Sequence, residues 1–219
     1  MLIIMFLLLK VFVTESCLPI SPYENLVQYL DERPHQSFIA YHDSSSGSRF
    51  DELEIWSKLT KVFPLATLHK ALPGWITMCR DHVEAVLKLE YAVDSFENIW
   101  APEEVYFPTM LCLAGKMEKV SNKTLTYSRW PSSGTDKAHP YEYSVRRSTF
   151  FEWLRDDIFF ARKFVDDVSV RRWCDIIDEN SKELEEKRRF KRRAQDSGTM
   201  IEDSKSLGET PDSFKRRKT

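Results

Sequence analysis

A chain of 219 residues with 42% hydrophobic and 13% aromatic content is long enough to build one real core and carry a tail. A formal net charge of -2 and a pI near 6.2 exclude nucleic acid as the main partner of the folded part, although positive charge gathers toward the C-terminus. Cys17, Cys79, Cys112 and Cys174 stand far apart, with no Cys-x-x-Cys pair, so the pattern argues against zinc and leaves disulfides in a secretory lumen open.

Met1 to Val13 is an apolar run broken by Lys10. It is shorter than the roughly 20 residues that a membrane span requires. A signal-peptide core is the other reading, although the run lacks a basic start and Lys10 interrupts it before any small-residue cleavage site. The run reads as a buried parallel strand, the kind that is apolar on both faces. Ser21-Pro-Tyr-Glu24 then combines a capping box with a proline at the first helical position, and Leu26, Val27 and Leu30 supply the apolar stripe of a helix that Pro34 stops. Ser37 to Tyr41 reads as a short strand, followed by an exposed Ser44–Ser48 loop. A further strand is expected near Val62 to Leu68. After the Pro73-Gly74 turn, Trp75, Ile76, Cys79, Val83, Val86 and Leu87 recur at helical spacing.

The next segment carries the chemistry. In Ala101-Pro-Glu-Glu-Val-Tyr-Phe-Pro-Thr109, Pro102 suits the first helical position, so Glu103 and Glu104 fall in the first turn. There the helix dipole favours an ionised carboxylate. A charged carboxylate among Trp100, Tyr106 and Phe107 suits a general base that faces a hydroxyl, while the plain structural reading is that acidic residues favour helix starts. Pro108 is expected to kink or shorten this helix. Thr124 to Trp130 alternates like a half-buried strand, Pro131 to Pro140 reads as a loop, and Phe150–Arg155 looks like a short helix running into Phe159–Phe164. Ser169 onward reads as a closing helix. Its charged continuation ends in the basic run Lys187–Arg193, and the composition beyond Asp196 is that of a disordered tail. Asn122-Lys-Thr124 is a glycosylation acceptor pattern.

Read together, Thr14-Glu-Ser-Cys-Leu-Pro19, Lys70-Ala-Leu-Pro-Gly-Trp75, Arg80-Asp-His82, Ala101–Thr109, Thr124–Trp130, His139-Pro140 and Phe160-Ala-Arg-Lys-Phe164 form an ordered set. This set resembles the Core-2/I-branching β-1,6-N-acetylglucosaminyltransferase (Branch) family. The resemblance implies an α/β, GT-A-like glycosyltransferase fold and transfer of a sugar, N-acetylglucosamine by family, from a UDP-sugar to a glycan hydroxyl with inversion. It implies that Glu104 is the catalytic base and that Lys163, with Arg146 or Arg147, binds the donor diphosphate. Trp130, Arg49 and Glu103 are implied for the acceptor side. Because the sequence holds no Asp-x-Asp motif, the expectation is a reaction without metal or other cofactor.

Family members carry a uridine-binding half ahead of the Ser-Cys segment, so the expected fold is N-terminally truncated, and the chain is expected to be either a fragment of a longer transferase or a natural truncation that no longer catalyses. Its parts are a partial transferase domain over 1–180, a charged helical extension over 181–195 and a disordered tail over 196–219. The implied setting is the Golgi or secretory lumen, with membrane association of the longer parent. Two other readings compete with transfer: a non-catalytic carbohydrate-binding remnant, and a nuclear interaction protein whose Lys187–Arg193 and Lys215–Lys218 runs form a split localisation signal.

Overall fold

The computed structural model describes residues 2–5, 9–13, 16–44, 50–72, 75–128, 157–164 and 170–196. Among these residues the chain is a mixed α/β structure. Its largest sheet runs β1 (Leu2–Met5), β2 (Leu9–Val13), β7 (Thr77–Cys79), β4 (Ser37–Phe38) and β8 (Val120–Ser121). A second sheet places β10 (Phe160–Arg162) between β3 (Leu18–Pro19) and β9 (Thr126–Ser128). A third joins β5 (Tyr41–Asp43) to β6 (His69–Ala71). The helices are α1 (Tyr23–Asp31), α2 (Phe50–Leu59), α3 (Arg80–Leu87), α4 (Pro102–Leu113) and α5 (Val170–Asp196).

The N-terminal run is not one parallel strand. It divides into β1 and β2, which pair antiparallel with Leu2 opposite Val13, and β2 pairs antiparallel with β7. Strands in globular domains usually span about 17–20 Å, and an apolar run much longer than that covers more core by doubling back than by continuing. Val11 and Val13 are buried against Leu26 and Leu30 of α1 and against Phe38. Each of these aliphatic side chains contributes about 1.5–3 kcal/mol by leaving water. Parallel pairing occurs instead between β4 and β8 and between β9 and β10.

Local chemistry explains further departures from expectation. The capping box before α1 does not form: Pro22 is extended (φ -55°, ψ 149°) and takes the cap position, while Ser21 Oγ accepts a bond from Asn25 Nδ2 at 3.1 Å. The strand expected near Val62 to Leu68 is a 3₁₀ turn over Leu65–Thr67, since Pro64 has no N–H to offer a ladder, and the strand begins at His69. Trp75 to Leu87 is not helical throughout. Thr77, Met78 and Cys79 form a central strand buried on both faces, and that burial mimicked a helical stripe. The run at Phe159–Phe164 is likewise a strand entry, with Phe160 and Ala161 buried in the middle of its sheet.

Beyond the sheets, α5 closes the molecule. Trp173 and Ile176 pack on Ile20, Ile158 and Phe164, and Asn180 Nδ2 donates to the Ile20 carbonyl at 3.2 Å. Past Leu184 the exposed face is charged, with Glu183–Lys187 and Glu185–Arg189 pairs one turn apart. Among the described residues no helix is long and apolar enough to cross a membrane. All four cysteines are free thiols, and burial pushes the Cys112 thiol up.

Candidate active site

Helix α4 starts where the sequence places it. Ala101 turns the chain through the left-handed region (φ 51°), Pro102 enters the first helical positions, and Glu103 and Glu104 occupy the first turn. The Glu104 amide closes that turn on the Ala101 carbonyl at 3.0 Å. Pro108 neither ends nor shortens the helix, which continues to Leu113 with Val105, Pro108, Thr109, Met110 and Leu111 buried. Proline at 108 removes only the amide that would have bonded to the Glu104 carbonyl. A helix buried along its middle thus presents its acids at its more exposed, positive end.

That end lies against β6. Thr109 Oγ1 accepts the His69 amide proton at 3.2 Å and donates to the His69 carbonyl at the same distance. The next residue on the strand is Lys70, whose side chain is 6% exposed and whose Nζ stands 3.9 Å from Glu104 Oε2. The Glu104 side chain is 23% exposed, so its carboxylate touches both a buried cation and solvent. Two sources of positive charge, the helix N-terminus and the ammonium, therefore act on one partly solvent-exposed carboxylate.

The aromatic surroundings differ from expectation in one respect. Tyr106 packs edge-on against Phe96 (5.2 Å between centroids) and Phe107 (5.3 Å). Burial, aided by Glu90, pushes the Tyr106 hydroxyl above its ordinary value. Trp100, however, does not wedge the acids. It is 67% exposed, between the buried Ile99 and the left-handed turn at Ala101.

Lys163 follows directly on β10 and is half-buried. Its neighbour Arg162 lies over the Trp75 ring, 4.6 Å from guanidinium carbon to centroid, and Trp75 packs on the same core cluster as Tyr106 and Phe107. Strand β10 thus reaches, through Arg162, the core that supports α4. Arg49, Trp130, Arg146 and Arg147 lie outside the described residues. Glu103 is partly exposed beside Glu104. Asn122 is exposed, its Oδ1 accepting the Tyr41 amide at 2.8 Å, and the Thr124 hydroxyl donates to the Trp75 carbonyl at 3.0 Å. Among the described residues no three His, Cys, Asp or Glu side chains gather as metal ligands.

Sequence reasoning missed Lys70 as a partner of the acid. The available signal was a lysine inside a short strand, which has to find a carboxylate when its head is buried.

The model of the Core-2/I-branching enzyme family matches residues 9–155. The glycosyltransferase BC10 of Oryza sativa subsp. japonica is 22% identical over 170 residues, covering 64% of this chain and 41% of the rice protein. The chain therefore spans less than half the length of that relative. The family match contains the β6 lysine, the two acids of α4 and the parallel strand β9 that pairs with the Lys163-bearing segment, and the chain belongs to the Core-2/I-branching enzyme family.

Proposed function

We propose that the chain forms the acceptor-activating part of an inverting glycosyltransferase with a GT-A-like fold, which moves N-acetylglucosamine from a UDP-sugar to a glycan hydroxyl. The observation that carries this reading is the Lys70–Glu104 pair at the start of α4, 3.9 Å apart and open to solvent only on the glutamate side. In the reaction the Glu104 carboxylate takes the proton of the acceptor hydroxyl. The freed oxygen attacks the anomeric carbon, the bond to the diphosphate oxygen breaks, and UDP departs with the bonding electrons. A single base serves such a displacement, and the configuration at the anomeric carbon inverts.

The departing diphosphate needs fixed positive charge. Lys163 is proposed for that task, joined by Arg146 or Arg147, and the sequence has no Asp-x-Asp motif to recruit a metal for it. Trp130, Arg49 and Glu103 are proposed to hold the acceptor. Exposed Trp100, three residues before Glu103, adds an aromatic face on which the apolar side of a sugar ring can stack. The proposed setting is the Golgi lumen, with Asn122 the residue to carry a glycan there.

The test is transfer from UDP-N-acetylglucosamine to a panel of oligosaccharides in the presence of a chelator, followed by product mass and anomeric configuration. The reading expects an inverted glycoside formed equally well with and without chelator. No transfer to any acceptor while the glycans still bind would favour the carbohydrate-binding remnant instead.

A further inference from the structure

We propose that the last turns of α5, past Leu184, form a docking surface for an anionic glycan, with Arg192 and Arg193 binding its charged groups and the exposed ring of Phe190 its sugar. That the polymer is a glycan rests on the transferase reading, whereas the surface itself does not. It lies beyond residue 155, where the family match ends. Leu184 is the last buried residue among those described, and the helix continues to Asp196, about 18 Å further at 1.5 Å per residue.

The charges of this helix are segregated. Acids stand before the run and cations within it, with no Asp or Glu between Glu186 and Asp196. The first cations find partners one turn back: Lys187 Nζ is 3.1 Å from Glu183 Oε1, and Arg189 Nη2 is 3.5 Å from Glu185 Oε2. One turn further on the pattern reverses. The residues four before Arg192 and Arg193 are Arg188 and Arg189, so like charges neighbour each other along the helix, which destabilises it. Arg192 and Arg193 are exposed, and no carboxylate among the described residues lies within ion-pair distance of either. The favourable effect of the helix C-terminus on cations fades within the last turn, so it does not account for a run of six from Lys187 to Arg193. An external anion relieves what the helix itself leaves uncompensated.

Phe190 selects the class of anion. It is 68% exposed in the middle of the run, and Arg193, three residues on, neighbours it on the same helical face. An aromatic ring beside a guanidinium gives the apolar face of a sugar a surface to stack on, and gives its sulfate or carboxylate a planar, two-pronged donor. A helix that lies in a membrane surface needs an apolar stripe, and Phe190 is the lone large apolar residue between Glu185 and Asp196. Single-stranded nucleic acid, which also joins charge to stacking, is the competing outcome of the test.

The full chain is titrated by calorimetry, at one salt concentration, with a heparin oligosaccharide, polyvinyl sulfate, a single-stranded oligodeoxynucleotide and phosphatidylserine vesicles. The proposal expects heparin to bind most tightly, and roughly tenfold more weakly in R192Q/R193Q. Phe190→Ala should lose about threefold toward heparin and nothing toward polyvinyl sulfate, which has no ring to stack. Both variants replace exposed side chains and should melt at the wild-type temperature. Both should also transfer sugar to an uncharged acceptor at the wild-type rate, so failure of the surface and failure of the catalytic reading are scored apart. A chain that transfers nothing yet binds heparin through Arg192 and Arg193 keeps the surface and loses only the catalytic reading. Heparin binding that is unchanged in R192Q/R193Q would belong to the Lys215–Lys218 run and overturns the surface. Tighter binding of the oligonucleotide or the vesicles overturns the glycan as its occupant.

Discussion

Thr109 Oγ1 lies 3.2 Å from both the amide nitrogen and the carbonyl oxygen of His69, so one hydroxyl receives a proton from strand β6 and returns its own to the same residue. This double bond of helix to strand fixes the height of α4 relative to Lys70, the next residue on the strand, and so sets the Lys70–Glu104 approach. Replacing Thr109 with Val keeps the shape and removes both bonds. The expected cost is about 1–3 kcal/mol in urea unfolding, because a backbone amide and a carbonyl are left without that partner. Thr109→Ser should retain most of the stability, and a Val variant as stable as the wild type would show that the helix is held by packing alone.

Lys70 is the second test of that arrangement. Removing one partner of a fully buried ion pair costs about 3–5 kcal/mol, and partial exposure of Glu104 lowers the expected loss for Lys70→Met to about 1–3 kcal/mol. Lys70→Arg keeps the charge and should recover part of it. Measured together with Glu104→Gln in a double-mutant cycle, the two substitutions should be non-additive. Additive losses would mean that the charges do not interact.

His82 makes stability depend on pH. Its folded value is lowered by burial and by Lys116. The unfolded chain, with a value near 6.5, therefore takes up its proton first as the pH falls. The contribution is complete above about pH 6.5 and is lost as acid approaches the lower folded value, since the unfolded state then binds more protons. Urea midpoints at pH 7.5 and 5.5 should fall in the wild type and fall less in His82→Gln. An identical drop in both would assign the acid sensitivity to other groups.

Lys163→Ala should weaken UDP binding at least tenfold by calorimetry while leaving the melting temperature unchanged, since the side chain is only half-buried. Unchanged UDP affinity would direct that charge elsewhere.

The sequence made the start of α4 legible because the signals there are local: proline at the entry and two acids in the first turn. Leu26 and Leu30 of α1 were legible for the same reason, as a stripe of helical period. Their cap was not, because an extended Pro22 moved the boundary by one residue. The division of the N-terminal run into β1 and β2 depends on what β2 finds beside it, namely β7, and that partner is far away in the chain. The Lys70–Glu104 pair was hidden for a similar reason. Each residue was visible in its own motif, but only the docking of Thr109 on His69 brings the two motifs together. Helix α2 went unread although Ile55, Trp56 and Leu59 recur at helical spacing and are buried, since no cap or proline announced it.

The most direct test of the account compares Glu104→Gln with Glu103→Gln in sugar transfer from UDP-N-acetylglucosamine. Loss of a positioned base costs about 10²–10⁴-fold, so the Glu104 variant should fall by that factor in kcat while the Glu103 variant keeps its turnover and changes mainly in acceptor KM. A Glu104 variant that turns over at the wild-type rate would contradict the assignment of the base and the mechanism built on it.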